Sequence, residues 1–155
     1  MDSPHSFHAM NPRLLLTALL VGTLSACVPK PKVDEAAVFG VLQENLKAME
    51  REDIEGVMAT VHPETPEFEA TRSVIEQIFA KYDLKYELRE MKAVSATDRE
   101  VKVSYVQKTQ RTGGADDLPD NIAEGIHTLK KDGDQWKLLR TVTIRFTPVT
   151  TPKPQ

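Results

Sequence analysis

Cysteine is nearly absent from this chain: among 155 residues only Cys27 is one. No intramolecular disulfide can form, and zinc sites built on paired cysteines and CxxC redox chemistry are excluded with it. Neither sign of charge dominates, with 20 Lys and Arg against 23 Asp and Glu. These are interspersed, so the net charge of -3 leaves no basic field for nucleic acid. Long apolar runs are missing too. The run from Leu14 to Leu24 covers eleven residues, broken by Thr17, Gly22 and Thr23, whereas a spanning helix needs about 20. There is no Ser-His-Asp set, no phosphate-binding loop, no HExxH or similar metal spacing and no internal repeat. Neither a metal nor a cofactor is expected.

What is present begins with that short run. Arg13 precedes it and Leu24-Ser25-Ala26-Cys27 closes it, the layout of a secretory signal peptide. Residues 1–9 place an acid and two histidines ahead of Arg13, so Met10 makes the better natural start. Leu24-Ser25-Ala26-Cys27 resembles the lipobox of bacterial lipoproteins. The resemblance implies that residues 1–26 are removed and that Cys27 is acylated as the first residue of the mature chain; an ordinary cleaved signal peptide is the alternative. One acyl chain anchors only marginally, at about 0.8 kcal/mol per buried methylene, and the two or three chains of a lipoprotein suffice. The membrane is then a partner through the lipid at Cys27, and the location is the bacterial cell envelope. Val28 stands where an inner-membrane retention signal has Asp, which in a diderm favours the outer membrane, facing the periplasm. Residues 27–32, with Pro29-Lys30-Pro31-Lys32, form a stiff tether.

Residues 33–146 read as one domain with a helical half and a strand half, and residues 147–155, with three prolines, as a disordered tail. Asp34 caps a helix running to about Arg51, with Val38, Val41, Leu42, Leu46 and Met49 at helical spacing. Asp53 caps a second helix that Pro63 stops. Thr65 as N-cap, Pro66 at the first helical position and Glu67 in the first turn start a third, which runs to about Lys81. From Tyr82 the period becomes two: Tyr82, Leu84, Tyr86 and Leu88 alternate with charged residues. A bulge near Glu90 would restore Met91 to the apolar side. Strands from Val101, from Asn121 to Lys131 and from Trp136 to Phe146 follow, the last two joined by Asp132-Gly133 as a type I′ turn. That turn pairs Leu129 with Trp136, His127 with Leu138 and Gly125 with Arg140. It puts Leu129, Trp136, Leu138, Val142, Ile144, His127 and Arg140 on the face toward the helices.

Three helices followed by a bent four-stranded antiparallel sheet resemble the nuclear transport factor 2-like, or cystatin-like, α+β architecture. Two segments carry the likeness: Asp53-Ile54-Glu55-Gly56-Val57-Met58 in the second helix and Asp132-Gly133-Asp134-Gln135-Trp136-Lys137-Leu138 in the final hairpin. It spans Val33 to Phe146 and implies a cone with a pocket at its wide end. The hairpin that many members place after the second helix is missing or reduced to His62-Pro63-Glu64-Thr65. Function stays open among three classes, because fold alone does not choose.

The first class is a noncatalytic module binding a small apolar ligand or an envelope protein, with Tyr86, Tyr105, His127 and Arg140 at the polar end of a pocket. The second is an isomerase or dehydratase of the steroid isomerase type. It needs a carboxylate base opposite a donor such as Tyr86 or Tyr105, and no inward strand position supplies that acid unless the bulge moves Glu90. The third is a structural part of an envelope assembly, with Ile122, Ile126 and Leu139 on the outer sheet face as a contact or homodimer patch. For His127, a structural histidine satisfied within the sheet is the competing reading. For Arg140, it is a helix carboxylate or snorkelling at the rim. His62 reads as a surface histidine at a helix end, complementing its dipole.

Overall fold

The computed structural model describes residues 33–149. The expected signal segment, Cys27, the tether and residues 150–155 lie outside them. Helix α1 (Glu35–Glu50) starts where Asp34 accepts the Ala37 N–H at 3.2 Å. Helix α2 (Ile54–Thr60) starts where Asp53 accepts the Gly56 N–H at 2.9 Å. Each carboxylate satisfies an N–H that the helix leaves open and complements the positive end of its dipole.

Helix α3 (Phe68–Lys81) begins later than the sequence suggests. Thr65 is not its cap: its hydroxyl donates to the carbonyls of Leu138 and Leu139 at 3.3 and 3.2 Å. Glu67 takes the N-cap position instead, in the left-handed conformation and without a side-chain bond.

The four strands are β1 (Tyr82–Ala96), β2 (Glu100–Gly114), β3 (Asn121–Asp132) and β4 (Gln135–Pro148), antiparallel and in sequence order across one sheet. Strand β4 runs two residues into the segment expected as tail, and Val149 N–H donates to Asp120 O at 2.7 Å. The bulge expected near Glu90 falls at Arg89, between the pairs Leu88–Gln107 and Glu90–Val106, and keeps Leu88 and Met91 both against the core. Further shifts follow Asp83 and Ala93.

The last hairpin departs from the expected register. Its two-residue loop is Gly133-Asp134, with Asp132 opposite Gln135, Lys131 opposite Trp136 and Leu129 opposite Leu138. Gly133, at φ +60°, is the first loop residue, the position where a type II′ turn needs positive φ. The pairing then slips once more: Leu138 faces Leu129 but Arg140 faces Thr128, so Leu139 is a bulge. Side chains alternate with period two, and one inserted residue reverses every face beyond it. Trp136 and Leu138 therefore pack on the core as expected, whereas Arg140 and Val142 lie on the opposite face and Thr141 and Thr143 come inward.

Two clusters hold the layers together. Val38 and Leu42 of α1 pack on Val101, Val103, Leu129 and Trp136 of the sheet. Ala48, Val57, Met58, Val61 and Ile75 knit the helices to one another. Side chains buried this fully contribute roughly 1.5–3 kcal/mol each.

The segment after α2 runs along the free side of β4. Val61 makes a parallel bridge with Leu138, and His62 N–H donates to Leu138 O at 2.8 Å. His62 is buried, not a surface residue. Its Nδ1 accepts the Glu64 N–H at 3.0 Å, so Nε2 carries the proton and faces Lys131 O at 3.4 Å. This reduced segment occupies the place of a hairpin, and Glu64 ties it across to Lys130.

Candidate functional site

The registers sort the inner face of the sheet into rows. Under α1 the row is Ala96, Val101, Leu129 and Leu138, and the next is Ala93, Val103, His127 and Thr141. Beyond these come Met91, Tyr105, Gly125 and Thr143, then Leu88, Gln107, Ala123 and Phe146, then Tyr86, Thr109, Asn121 and Pro148. The face thus changes from apolar beneath the first helix to polar away from it. Thr141, Thr143 and Phe146 are exposed although they face inward, so on β4 the inner face is open from His127 onward.

At this boundary the side chains interlock. The rings of Tyr105 and His127 stack with centroids 4.0 Å apart and planes 19° from parallel. His127 Nδ1 and the Thr141 hydroxyl are hydrogen-bonded at 2.9 Å, and the Tyr105 and Thr143 hydroxyls at 3.2 Å. Gly125 makes the stack possible. A Cβ there would lie 3.0 Å from Tyr105 Cε1 and 2.1 Å from Val142 O, so any side chain would displace the ring and the neighbouring strand.

Burial pushes the His127 imidazole down to a pKa of about 4, so at neutral pH it is an uncharged ring. Among the described residues its Nε2 has no hydrogen-bonding partner, and no carboxylate touches the cluster. The arrangement offers one ring nitrogen, three hydroxyls and an aromatic face. It can orient a polar group of a bound molecule through hydrogen bonds. It holds no acid to act as a base toward a carbon acid.

Of the four residues expected at one polar pocket, two meet. Tyr86 lies six residues along the sheet from the His127 row, roughly 20 Å at about 3.3 Å per residue. There its N–H donates to Glu50 at 2.8 Å, and burial, then the Glu50 charge, push its phenol up to about 12. Arg140 is exposed on the outer face beside Thr128 and Lys102, because the Leu139 bulge turned it over. Thr141 and Thr143 complete the cluster in its place. Their alternation with period two is visible in the sequence, but the face they occupy depends on the bulge.

On the outer face Val142 stands opposite Ile126, and Val142 and the bulged Ile144 are 49% and 73% exposed. Leu139, expected in this patch, is the half-buried bulge residue. Among the described residues no group of His, Cys, Asp or Glu could hold a metal ion, and no helix is long and apolar enough to cross a membrane.

Solved structures share this architecture. An NTF2-like protein from Cytophaga hutchinsonii superposes with a TM-score of 0.62 at 13% identity, over 76% of this chain and 100% of that one. A protein with a cystatin-like fold from Nostoc punctiforme gives 0.60 at 12% identity, over 74% and 92%. Identities this low show the fold alone: it is the NTF2-like, cystatin-like architecture. In sequence, anti-sigma-I factor RsgI9 of Acetivibrio thermocellus is 30% identical over 98 residues. That stretch is 63% of this chain but only 14% of the relative's length. The family described as the C-terminal domain of anti-sigma-I factor RsgI9 matches residues 40–149, from within α1 to the end of the sheet, and the chain belongs to that family.

Proposed function

We propose that this protein is a lipid-anchored domain of the bacterial cell envelope that binds, without chemical conversion, a small and largely apolar ligand at the open end of its cone. The Tyr105–His127 stack carries the reading: a neutral imidazole with one uncommitted nitrogen, braced by Thr141, beside a row that is already apolar. No buried side-chain nitrogen or oxygen among the described residues is left unpaired, so the free Nε2 reaches the surface, where a ligand's hydroxyl or carbonyl can pair with it. The RsgI9 relative carries a homologous domain as a small part of a much longer chain. Ligand or partner binding is a role such a module can keep when joined to different machinery. In this reading acylation at Cys27 holds this copy at a membrane surface, and a second copy is the proposed partner of the outer sheet face, a role that the exposure of Val142 and Ile144 supports.

The test is to purify the acylated protein from its native membrane, denature it and identify released small molecules by mass spectrometry. A single species should accompany the wild type and be missing from a His127→Phe, Thr141→Val variant of equal thermal stability. Wild type and variant releasing the same set would refute a site at His127.

A further inference from the structure

Charge is sorted between the two faces of the sheet. Of the whole chain 28% is Asp, Glu, Lys or Arg, yet no inner row from Ala96–Val101–Leu129–Leu138 to Tyr86–Thr109–Asn121–Pro148 holds one. In the core this is ordinary, because an unpaired buried charge is costly. On β4 it is not, because there the strand is exposed on both sides. Arg140 and Arg145 stand on its outer side and Thr141, Thr143 and Phe146 on its inner side, every one of them exposed. Water accepts a charge on either side, and β-branched or aromatic residues suit both. The Leu139 bulge completes the sorting, since without it Arg140 would face inward opposite His127.

The surroundings of this open stretch are equally free of charge. Burial alone displaces the His127 imidazole, so no charge on the helices acts on the ring. Along β2 the next inward charge is Arg111, six residues from Tyr105 and roughly 20 Å away at about 3.3 Å per residue. Its Nε donates to Leu118 O at 3.3 Å. What the stretch offers is the hydroxyls of Tyr105, Thr141 and Thr143, the free His127 nitrogen and the ring of Phe146. An ion seated there would give up water and gain no counter-charge, whereas a neutral hydroxyl or carbonyl would keep its hydrogen bonds.

We infer that the molecule held at the Tyr105–His127 cluster is an uncharged amphiphile, an alcohol, ketone or ester on an apolar body, and that the inner face rejects the carboxylate and the ammonium of the same body. This ligand class rests on the binding role proposed above.

1-Octanol, octanoate and octylammonium share one apolar body and differ in charge. Each is titrated at pH 7 into the methyl-labelled full chain carrying Cys27→Ser, a change outside residues 33–149. 1-Octanol should move the Thr141 and Thr143 methyl signals, but not those of Ile126 and Val142 on the outer face, at concentrations at least tenfold below those needed for either ion. Phe146→Lys places a cation at an exposed inward position. With its thermal midpoint held, that variant should bind octanoate at least as well as 1-octanol. An ion that moves the inner methyls within tenfold of the alcohol overturns the inference and leaves a binding site in place. An unchanged ranking in folded Phe146→Lys does the same. Silence of the inner methyls with all three probes, or shifts shared equally by Ile126 and Val142, refutes the site itself and the ligand class with it. Should Phe146→Lys fail to fold, the wild-type ranking decides.

Discussion

His127 ties stability to pH through a single ring. Unfolded, it titrates near the ordinary histidine value of about 6.5; folded, burial holds it at about 4. Between these values the unfolded chain takes up a proton that the native state refuses. Its contribution is therefore complete above about pH 6.5, declines as the pH falls and is gone below about pH 4, amounting to on the order of 3 kcal/mol. Urea unfolding from pH 7 to pH 4 should show this loss, and His127→Phe should remove it from the profile. Parallel profiles would mean that His127 is not held neutral. Tyr105 and His127 were legible in the sequence as polar groups on an apolar strand face. Thr141 and Thr143 were not, because their side of the sheet depends on one extra residue at Leu139 that no periodicity announces.

Among the elements, the helices were the most readable. Asp34 and Asp53 stand where an apolar stripe begins, and both accept the N–H that the pattern assigns them. The start of α3 was misread because Thr65 has a choice of partners, and two carbonyls of β4, far along the chain, outcompete the helix terminus beside it. A sequence window cannot see that competitor. The same long-range contact along β4 leaves Glu67 to open α3 at φ 66°. At the end of α1, Glu52 holds φ 55°, just past the C-cap Arg51. The left-handed region costs a residue with a Cβ about 1–2 kcal/mol, part of which glycine gives back through its freer unfolded state. Glu52→Gly should accordingly raise the unfolding free energy by about 0.5–1 kcal/mol. Chemical denaturation would check it, and a fall in stability would show that the Glu52 side chain contributes more than its backbone costs.

For the whole molecule, the expectations concern where it sits and with what. Labelled palmitate should enter the wild-type chain, and Cys27→Ser should leave it unlabelled and recovered in the soluble fraction after lysis. Membrane retention of the serine variant would place the anchor elsewhere. In sedimentation at tens of micromolar, acyl-free protein should run as a dimer, and Val142→Glu as a monomer with the same thermal midpoint; a monomeric wild type would remove the outer sheet face as a self-contact. The general architecture was legible because the helical runs keep one period and the strands keep period two between their bulges. The boundary of the tail was not: Thr147 and Pro148 carry no apolar signal, yet the hydrogen bonds of Asn121 and Asp120 hold that stretch to the sheet.

The strand order has a kinetic consequence. Each strand pairs with its neighbour in sequence, so the sheet can assemble by short loop closures from its three turns. The contacts joining Val38 to Trp136, and the bridge from Val61 to Leu138, close the chain from its first helices to its last strand. They are expected to form after the sheet, on the native side of the rate-limiting step. Trp136 is the only tryptophan, so its fluorescence reports that late docking and little of what precedes it. In stopped-flow refolding the emission change should trail the far-ultraviolet signal. Val38→Ala should quicken unfolding and hardly alter the refolding rate.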